Sequence, residues 1–188
     1  MSRRAVIVTG LVAASSLALF LFFLLVYKDH GEPAERIELA GTENFYRISG
    51  ELYRAGQPTA GAMRAYEAYG IKTVINLRTF HSDADEVQGT SLILKEIPVL
   101  TWDLETAEVI EVLQAIRDAA KPVLIHCQHG SDRTGLMVAM YRIVEQGWDK
   151  EEAIWEMTRG GFGFHDVWAH IPEFIRNMDV NAVKAALH

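Results

Sequence analysis

Residues 123–135 of the chain read Val-Leu-Ile-His-Cys-Gln-His-Gly-Ser-Asp-Arg-Thr-Gly. The apolar run at 123–125 predicts a buried central strand, because strands covered on both faces carry continuous apolar residues. A helical pattern follows from about Thr134 to Gln146 and ends at Gly147. A short polar loop that begins at Cys127 therefore joins a buried strand to a helix, which is the basic unit of an α/β fold.

The flanking sequence alternates between strand and helix patterns. Apolar runs bounded by turn residues predict strands at 45–48, 52–54, 73–77 and 92–99. Helical spacing and capping residues predict helices at 59–69, at 105–119 and from 149 onward. The sequence thus predicts an α/β domain with a mostly parallel central sheet flanked by helices.

Composition limits the classes of protein to which the chain can belong. It has 188 residues, of which 49% are hydrophobic and 23% charged, as expected for one folded domain with an appendage. Cys127 is the only cysteine, which excludes an internal disulfide, a cysteine-rich zinc site and an iron–sulfur cluster. A net charge of −7 argues against non-specific binding of nucleic acid.

The N-terminal region carries the densest hydrophobic stretch. Residues 5–27 contain no charged side chain, and a helix of that length would be about 35 Å long, enough to cross a bilayer core about 30 Å thick. We therefore predict a transmembrane helix as membrane anchor, or a signal sequence, at 1–27, a polar tether at 28–43 and a folded domain at 44–188. Arg3 and Arg4 favour a cytoplasmic amino terminus, which predicts a membrane-bound domain outside the cytoplasm, in the periplasm if the organism is a bacterium.

The loop between the central strand and its helix has the features of an oxyanion site. Its backbone N–H groups can converge on one point that faces the positive end of the helix dipole. Arg133 adds a planar fork that can bind two phosphate oxygens, and the same field favours the thiolate of Cys127 as a nucleophile. The hydroxyl of Thr134 is placed to stabilise the sulfur when it leaves. Oxyanion binding is therefore predicted for Gln128, His129, Gly130, Ser131, Asp132 and Arg133.

The pattern His-Cys-x5-Arg-Thr-Gly at 126–135 resembles the signature of the cysteine-dependent protein tyrosine and dual-specificity phosphatases. Residues 52–58 and 73–78 also resemble the opening strands of small dual-specificity phosphatases. The resemblance implies a dual-specificity phosphatase-like domain over 44–188 and a metal-free phosphocysteine mechanism. Cys127 would attack phosphorus, Arg133 would hold the equatorial oxygens, and water would later hydrolyse the intermediate.

The family supplies the leaving oxygen with a proton from an aspartate on a separate loop. Asp103 is the first candidate, because it follows a strand and precedes the helix that leads to Cys127, as in the family. Asp132, inside the cysteine-containing loop, is the second candidate. Asp83 and Asp85, on an earlier polar loop, are the third.

The function predicted from these residues is hydrolysis of phosphate monoesters by a membrane-anchored phosphatase. Its partners would be a phosphorylated protein or lipid, with phosphotyrosine and a phospholipid head group both open, and the membrane itself. Two alternatives remain open, a phosphate-binding pseudophosphatase and a rhodanese-like sulfurtransferase. No cofactor and no metal are predicted, because the spacings of four histidines match no ligand pattern: His81, His126, His129 and His165.

Overall fold

A computed structural model describes residues 32–187. The strands of this part are β1 (Glu35–Arg36), β2 (Tyr46–Arg47), β3 (Leu52–Ala55), β4 (Thr73–Asn76), β5 (Ile93–Glu96) and β6 (Val123–His126). They form one sheet in the order β1-β2-β3-β6-β4-β5. The β1–β2 and β2–β3 pairs are antiparallel, whereas β3–β6, β6–β4 and β4–β5 are parallel. The sheet is therefore mixed, with a parallel half that contains the predicted central strand.

The helices begin and end close to the residues that the sequence predicted. They are α1 (Ala60–Tyr69), α2 (Thr106–Asp118), α3 (Asp132–Val144), α4 (Lys150–Arg159), a 3₁₀ helix (Asp166–Trp168), α5 (His170–Asn177) and α6 (Val180–Ala186). The side chain of Thr59 accepts a hydrogen bond from the backbone of Ala62 at the start of α1, and Gly70 ends that helix in a left-handed conformation. Both caps are the ones the sequence predicted.

Alternating side chains of the central strands contribute to apolar clusters on the two faces of the sheet. Val123 and Ile125 pack into the larger cluster, with residues of α2 to α6. Leu124 points the other way and packs with Ala62, Met63 and Tyr66 of α1. Because successive residues of a strand face opposite sides, one short apolar run serves both clusters.

The register of the parallel strands determines where the loops meet. Ala55 at the end of β3 and Asn76 at the end of β4 both pair with His126 at the end of β6. The segments that follow these three strands therefore leave the sheet side by side at one edge, where α/β proteins place their ligand sites.

Two parts of the predicted organisation need correction. The predicted fold class included a transmembrane helix ahead of the domain, but none of the helices between residues 32 and 187 is long and apolar enough to cross a membrane. The predicted localisation at a membrane is corrected on the same finding. The stretch to which the span was assigned, residues 1–27, lies outside the described residues.

The N-terminal boundary of the folded part also differs from the predicted one. Glu35 and Arg36, assigned to the tether, pair with Tyr46 and Arg47 as the edge strand β1. Further contacts extend this attachment, because the backbone N–H of Ala34 donates to a carboxylate oxygen of Glu156 at 3.1 Å. Part of the predicted tether thus belongs to the sheet, and the division of the chain into anchor, tether and domain stays a prediction.

Candidate active site

Cys127 directly follows β6, and α3 begins at Asp132, so residues 127–131 form the turn between strand and helix. We call this segment the cysteine loop. Cys127 is 2% exposed, and Thr134 in the first turn of α3 is fully buried. The hydroxyl of Thr134 has no hydrogen-bond partner within residues 32–187, which leaves it available to a group at the base of the loop.

A buried arginine holds the cysteine loop from behind. Arg54 in β3 is fully buried and its guanidinium donates to the backbone carbonyls of Gly130 and, at 3.5 Å, Ser131. In a trans peptide the N–H points opposite to the carbonyl. Arg54 therefore turns the N–H groups of Ser131 and Asp132 away from the sheet, toward the side on which an oxyanion would bind.

Burial lowers the pKa of Arg54 to about 10, while Glu156 and Cys127 act in the opposite direction. The guanidinium thus keeps its positive charge at neutral pH. Cζ of Arg54 lies 3.8 Å from the centroid of the Phe162 ring, so the guanidinium also stacks on an aromatic face. A fixed positive charge behind the loop adds to the field of the α3 N-terminus.

Gly130 is the one position of the cysteine loop that only glycine can fill. Its φ is +71°, and a Cβ atom there would lie 2.4 Å from the carbonyl oxygen of Ala55. The loop also accepts a hydrogen bond at the carbonyl of Gln128 from the backbone N–H of Gln57, at 3.0 Å. The loop thus packs directly on the chain that leaves β3.

A second segment, residues 160–165, also holds the cysteine loop through hydrogen bonds. The carbonyl of Phe162 accepts hydrogen bonds from Oγ of Ser131 at 2.7 Å and from Nδ2 of Asn44 at 2.9 Å. Asn44 bridges to the loop itself, because its Nδ2 also donates to the carbonyl of His129 at 2.8 Å. The loop conformation is therefore set by three separate parts of the chain: β3, the turn before β2, and segment 160–165.

A buried carboxylate supports the residue that precedes the cysteine. Asp83 and His126 are both fully buried, and Oδ2 of Asp83 lies 2.6 Å from Nε2 of His126. Oδ1 of Asp83 accepts from Gln57 at 2.7 Å and contacts Nε2 of His81 at 3.1 Å. Burial raises the pKa of Asp83, but the hydrogen bonds of His126 and Gln57 and the nearby His81 outweigh it and leave that pKa below its usual value.

The cysteine loop opens into a pocket of about 240 Å³. Arg133 is partly buried in its wall. Two apolar side chains also line the pocket, that of Val167, which is 78% exposed, and that of Trp168. The complete lining comprises Thr101, Gln128, His129, Asp132, Arg133, His165, Val167 and Trp168. Most of the residues predicted to bind an oxyanion thus line one cavity.

The candidate acids occupy different environments. Asp132 accepts hydrogen bonds on both oxygens from His165, from the backbone N–H at 3.0 Å and from Nδ1 at 2.9 Å. Asp103 is exposed in the turn before α2, and its carboxylate makes no hydrogen bond to any residue in the described range. Asp83 is enclosed with His126, and Asp85 is exposed and accepts from Gln88 at 2.9 Å. Asp132 therefore lines the pocket, Asp103 is exposed and is not one of the lining residues, and Asp83 is shielded from solvent.

The turn that carries Asp103 is anchored at the rim of the pocket. Thr101, two residues earlier, lines the pocket and is 5% exposed. Its carbonyl accepts a hydrogen bond from Nε2 of His170 at 2.7 Å. Glu105 rather than Asp103 caps α2, in a reciprocal arrangement with Glu108. Asp103 therefore has no capping role.

The structure also brings together residues whose spacing in sequence suggested no joint role. Arg54 lies 76 residues before Gly130, and Phe162 lies 31 residues after Ser131. No signal in a single sequence links such positions, although an arginine within an apolar strand could have drawn attention to Arg54. His129, Asp132 and His165, which were not predicted to form a metal site, offer ligand atoms within 4.8 Å of one another.

A protein-family model described as "DSP-PTPase phosphatase fused to NAD+ Kinase" matches residues 36–168 of the chain. The chain belongs to this family of dual-specificity-type phosphatases. The family and the enzyme class predicted from the His-Cys-x5-Arg-Thr-Gly pattern are therefore confirmed. The match covers the cysteine loop, the three parts of the chain that hold it and the turn that carries Asp103.

The phosphatase domain is also similar to individual proteins. The dual specificity protein phosphatase TpbA of Pseudomonas aeruginosa strain UCBPP-PA14 is 38% identical over 148 residues. That alignment covers 77% of this chain, and the chain spans 66% of the length of TpbA. A crystal structure of P. aeruginosa TpbA is 35% identical, with a TM-score of 0.74, and covers 82% of this chain and 95% of that one.

The fold extends to more distant phosphatases. The core catalytic domain of the PP-IP phosphatase SIW14 from S. cerevisiae superimposes with a TM-score of 0.69 at 23% identity. The superposition covers 79% of this chain and 93% of that domain. At this level of identity the likeness concerns the arrangement of strands and helices, and it supports the mixed sheet described above.

Proposed function

We propose that the protein hydrolyses phosphate monoesters through a phosphocysteine intermediate. The observation that carries this proposal is the cysteine loop, in which Cys127 directly follows β6 and the carbonyls of Gly130 and Ser131 are held by Arg54. The sulfur of Cys127 attacks phosphorus and displaces the alcohol or phenol oxygen, which takes up a proton. Water then attacks the phosphocysteine, which releases inorganic phosphate and restores the thiolate.

Arg133 is the proposed ligand of the phosphoryl group. Its side chain lines the pocket at the first turn of α3, and its planar fork can bind two equatorial oxygens at once. The N–H groups of the cysteine loop would bind the same oxygens, as they do at other helix N-termini. Thr134, with a buried and unpartnered hydroxyl, is the proposed donor to the sulfur when the phosphocysteine is hydrolysed.

Asp103 is the proposed general acid. Asp103 is exposed and lies two residues after Thr101, which lines the pocket and whose carbonyl accepts a hydrogen bond from His170. Asp132 is the weaker candidate, because both of its oxygens are already bound to His165. A proton donor needs an oxygen that can approach the leaving group of the substrate, and this condition favours Asp103.

Phosphotyrosine in a protein is the proposed substrate. A variant of TpbA, a relative of this chain, has been solved in complex with pTyr. In the present structure, the exposed side chain of Val167 and that of Trp168 provide an apolar wall of the same pocket that Arg133 lines. A phenyl ring can pack on such a wall while its phosphate reaches the cradle.

The experiment compares the full chain with Cys127→Ser in the presence of EDTA, using a phosphotyrosyl peptide. The wild type is expected to release phosphate, and the variant to lose at least about 10³-fold in kcat while still binding the peptide. Equal hydrolysis by both proteins would disprove the nucleophile assignment. Peptide binding by the wild type without hydrolysis would favour the pseudophosphatase, and transfer of sulfur from thiosulfate to cyanide would favour the sulfurtransferase.

A further inference from the structure

Three side chains at the mouth of the pocket have the composition of a transition-metal site. His129 comes from the cysteine loop, Asp132 from the start of α3 and His165 from the segment before the 3₁₀ helix. Their ligand atoms all lie within 4.8 Å of one another, and the two imidazole rings are 5.2 Å apart. We propose that these residues bind a divalent transition metal, with Zn²⁺ as the reference ion.

The donor set suits Zn²⁺ in number and kind. Two imidazoles and one carboxylate provide three ligands and leave a fourth position open, as in zinc sites that bind an exchangeable ligand. A nitrogen and an oxygen on one tetrahedral zinc lie about 3.3 Å apart, given bonds of about 2.0–2.2 Å. Nδ1 of His165 and Oδ2 of Asp132 are 2.9 Å apart, so a small separation of the two side chains admits the ion.

The carboxylate is already oriented for a single metal bond. Oδ1 of Asp132 accepts the backbone N–H of His165 at 3.0 Å, which directs Oδ2 toward the imidazole. Hydrogen bonds of this kind hold metal ligands in place and contribute to affinity. Entry of the metal would require Nδ1 of His165 to be unprotonated, with the ring proton on Nε2, because a metal binds the nitrogen that carries no proton.

The site is open to solvent and its backbone is fixed. The side chain of His165 is 46% exposed, and that of Asp132 is 10% exposed. His129 is also exposed, while its carbonyl is held by Asn44 at 2.8 Å. An ion can therefore reach the three ligands without unfolding of the chain, and small movements of the side chains suffice, because their ligand atoms already lie within 4.8 Å of one another.

A second cluster of similar composition is a poorer site. His81, Asp83 and Glu86 also offer ligand atoms close to one another. Asp83, however, is fully buried, and its oxygens contact Gln57, His81 and His126. A metal there would have to replace a buried hydrogen-bond network, which makes His81 a suitable control position.

Occupancy of the proposed site would close the phosphatase pocket. The three ligands line the same cavity as Arg133 and Gln128, so an ion and its fourth ligand stand where a substrate phosphate would enter. Zn²⁺ would then be a reversible inhibitor that competes with the phosphate monoester. This consequence rests on the proposed function, whereas the binding of the metal does not.

The experiment measures Zn²⁺ binding by titration calorimetry on the full chain carrying Cys127→Ser, so that the sulfur cannot act as a ligand. We expect one equivalent of Zn²⁺ to bind. Adding His129→Gln or His165→Gln should weaken binding by at least about 10-fold, whereas His81→Gln should leave it unchanged. In a second titration Co²⁺ replaces Zn²⁺ and its visible spectrum reports binding. The parent protein and its histidine variants should rank in the same order of affinity.

Each outcome decides the proposal. His129→Gln removes an exposed side chain, so a loss of binding in this variant cannot be attributed to misfolding. The proposal fails if no Zn²⁺ binds at micromolar concentration, or if both histidine variants bind as tightly as their parent. Binding without competitive inhibition of the active enzyme would contradict only the blocking role, and an enzyme with no phosphatase activity would leave the calorimetric result intact.

Discussion

Nε2 of His126 lies 2.6 Å from Oδ2 of Asp83, and both side chains are fully buried behind the cysteine loop. His126 immediately precedes the nucleophile, and its other nitrogen lies 3.3 Å from the carbonyl of Cys127. Asp83 thus fixes the imidazole ring, and the ring contacts the backbone of the reactive residue. We therefore propose that Asp83, which the sequence offered as a third candidate acid, acts as a positioning residue for His126.

Asp83→Asn is expected to change how stability depends on pH. The folded-state pKa of Asp83 lies below its usual value of 3.8, so its ionised form stabilises the fold. That contribution is complete above about pH 4–5 and is lost as the pH falls through the lower, folded-state pKa. Urea unfolding between about pH 3 and pH 7 should show a weaker acid dependence in Asp83→Asn than in the wild type.

The matched control is Asp85→Asn, two residues away and exposed. It should change the free energy of unfolding by less than about 0.5 kcal/mol at neutral pH. At the same pH, Asp83→Asn should lower the free energy of unfolding by about 1.5–3 kcal/mol, the range for hydrogen bonds to charged groups. Identical pH profiles for the wild type and Asp83→Asn would contradict the supporting role of this carboxylate.

Gly130→Ala tests the close approach of the cysteine loop to β3. The control is Gly89→Ala, because Gly89 has a similar φ of +77° but a Cβ atom added there would have no neighbour within 4 Å. This variant should lose only the stability that a left-handed backbone costs a residue other than glycine, about 1–2 kcal/mol. Gly130→Ala should cost at least about 1 kcal/mol more, because the added methyl overlaps the carbonyl of Ala55. Thermal unfolding of both variants measures the difference, and equal losses would contradict the steric account.

Arg54→Lys tests whether the buried guanidinium orients the cysteine loop. A lysine keeps the charge but loses the planar fork and the stacking on Phe162, so the loop N–H groups should be less well directed. We expect kcat/KM to fall by about 10–100-fold, with a parallel loss in the affinity for inorganic phosphate. Arg47→Lys, on the exposed side of β2, is the control that should change neither value. A stability loss with unchanged phosphate affinity would assign Arg54 a purely structural role.

Asp103→Asn and Asp132→Asn distinguish the two candidate acids. Loss of the acid should lower kcat by about 10²–10⁴-fold for a poor leaving group and much less for para-nitrophenol, which leaves without protonation. We expect kcat of Asp103→Asn to depend on the leaving group in this way. In Asp132→Asn we expect kcat to fall by a similar factor for both leaving groups. Steady-state rates on aryl phosphates of graded phenol pKa provide the measurement, and the reverse pattern would make Asp132 the acid.

The elements of the fold could be predicted because their signals are local. The run Val123 to Ile125 is buried on both faces of the sheet, and Thr59 and Gly70 bound α1 as their residue types indicate. The predicted strand at 92–99 is shorter in the structure, at Ile93–Glu96, which is the edge strand of the sheet. The ends of edge strands depend on pairing, which a sequence pattern does not contain.

The support of the candidate site could not be predicted, because it depends on contacts between distant segments. Asp132 and His165 are 33 residues apart, and Arg54 meets Phe162 across 108 residues. The motif at 126–135 identified the cysteine loop, yet its conformation depends on Arg54, Asn44 and Phe162, none of which belongs to the motif. The same reason explains why a comparison of histidine spacings missed the proximity of His129 to His165.

The two outer strands have a consequence for the behaviour of the protein at high concentration. Unpaired strand edges are templates for intermolecular β-sheet, and charged or very short edge strands suppress this association. At one end of the sheet, β1 has only two residues, the exposed Glu35 and Arg36. At the other end, β5 presents Lys95 and Glu96 beside the half-exposed Ile93. Both edges therefore resist the addition of a strand from another molecule, which protects the folded chain against fibrillar aggregation.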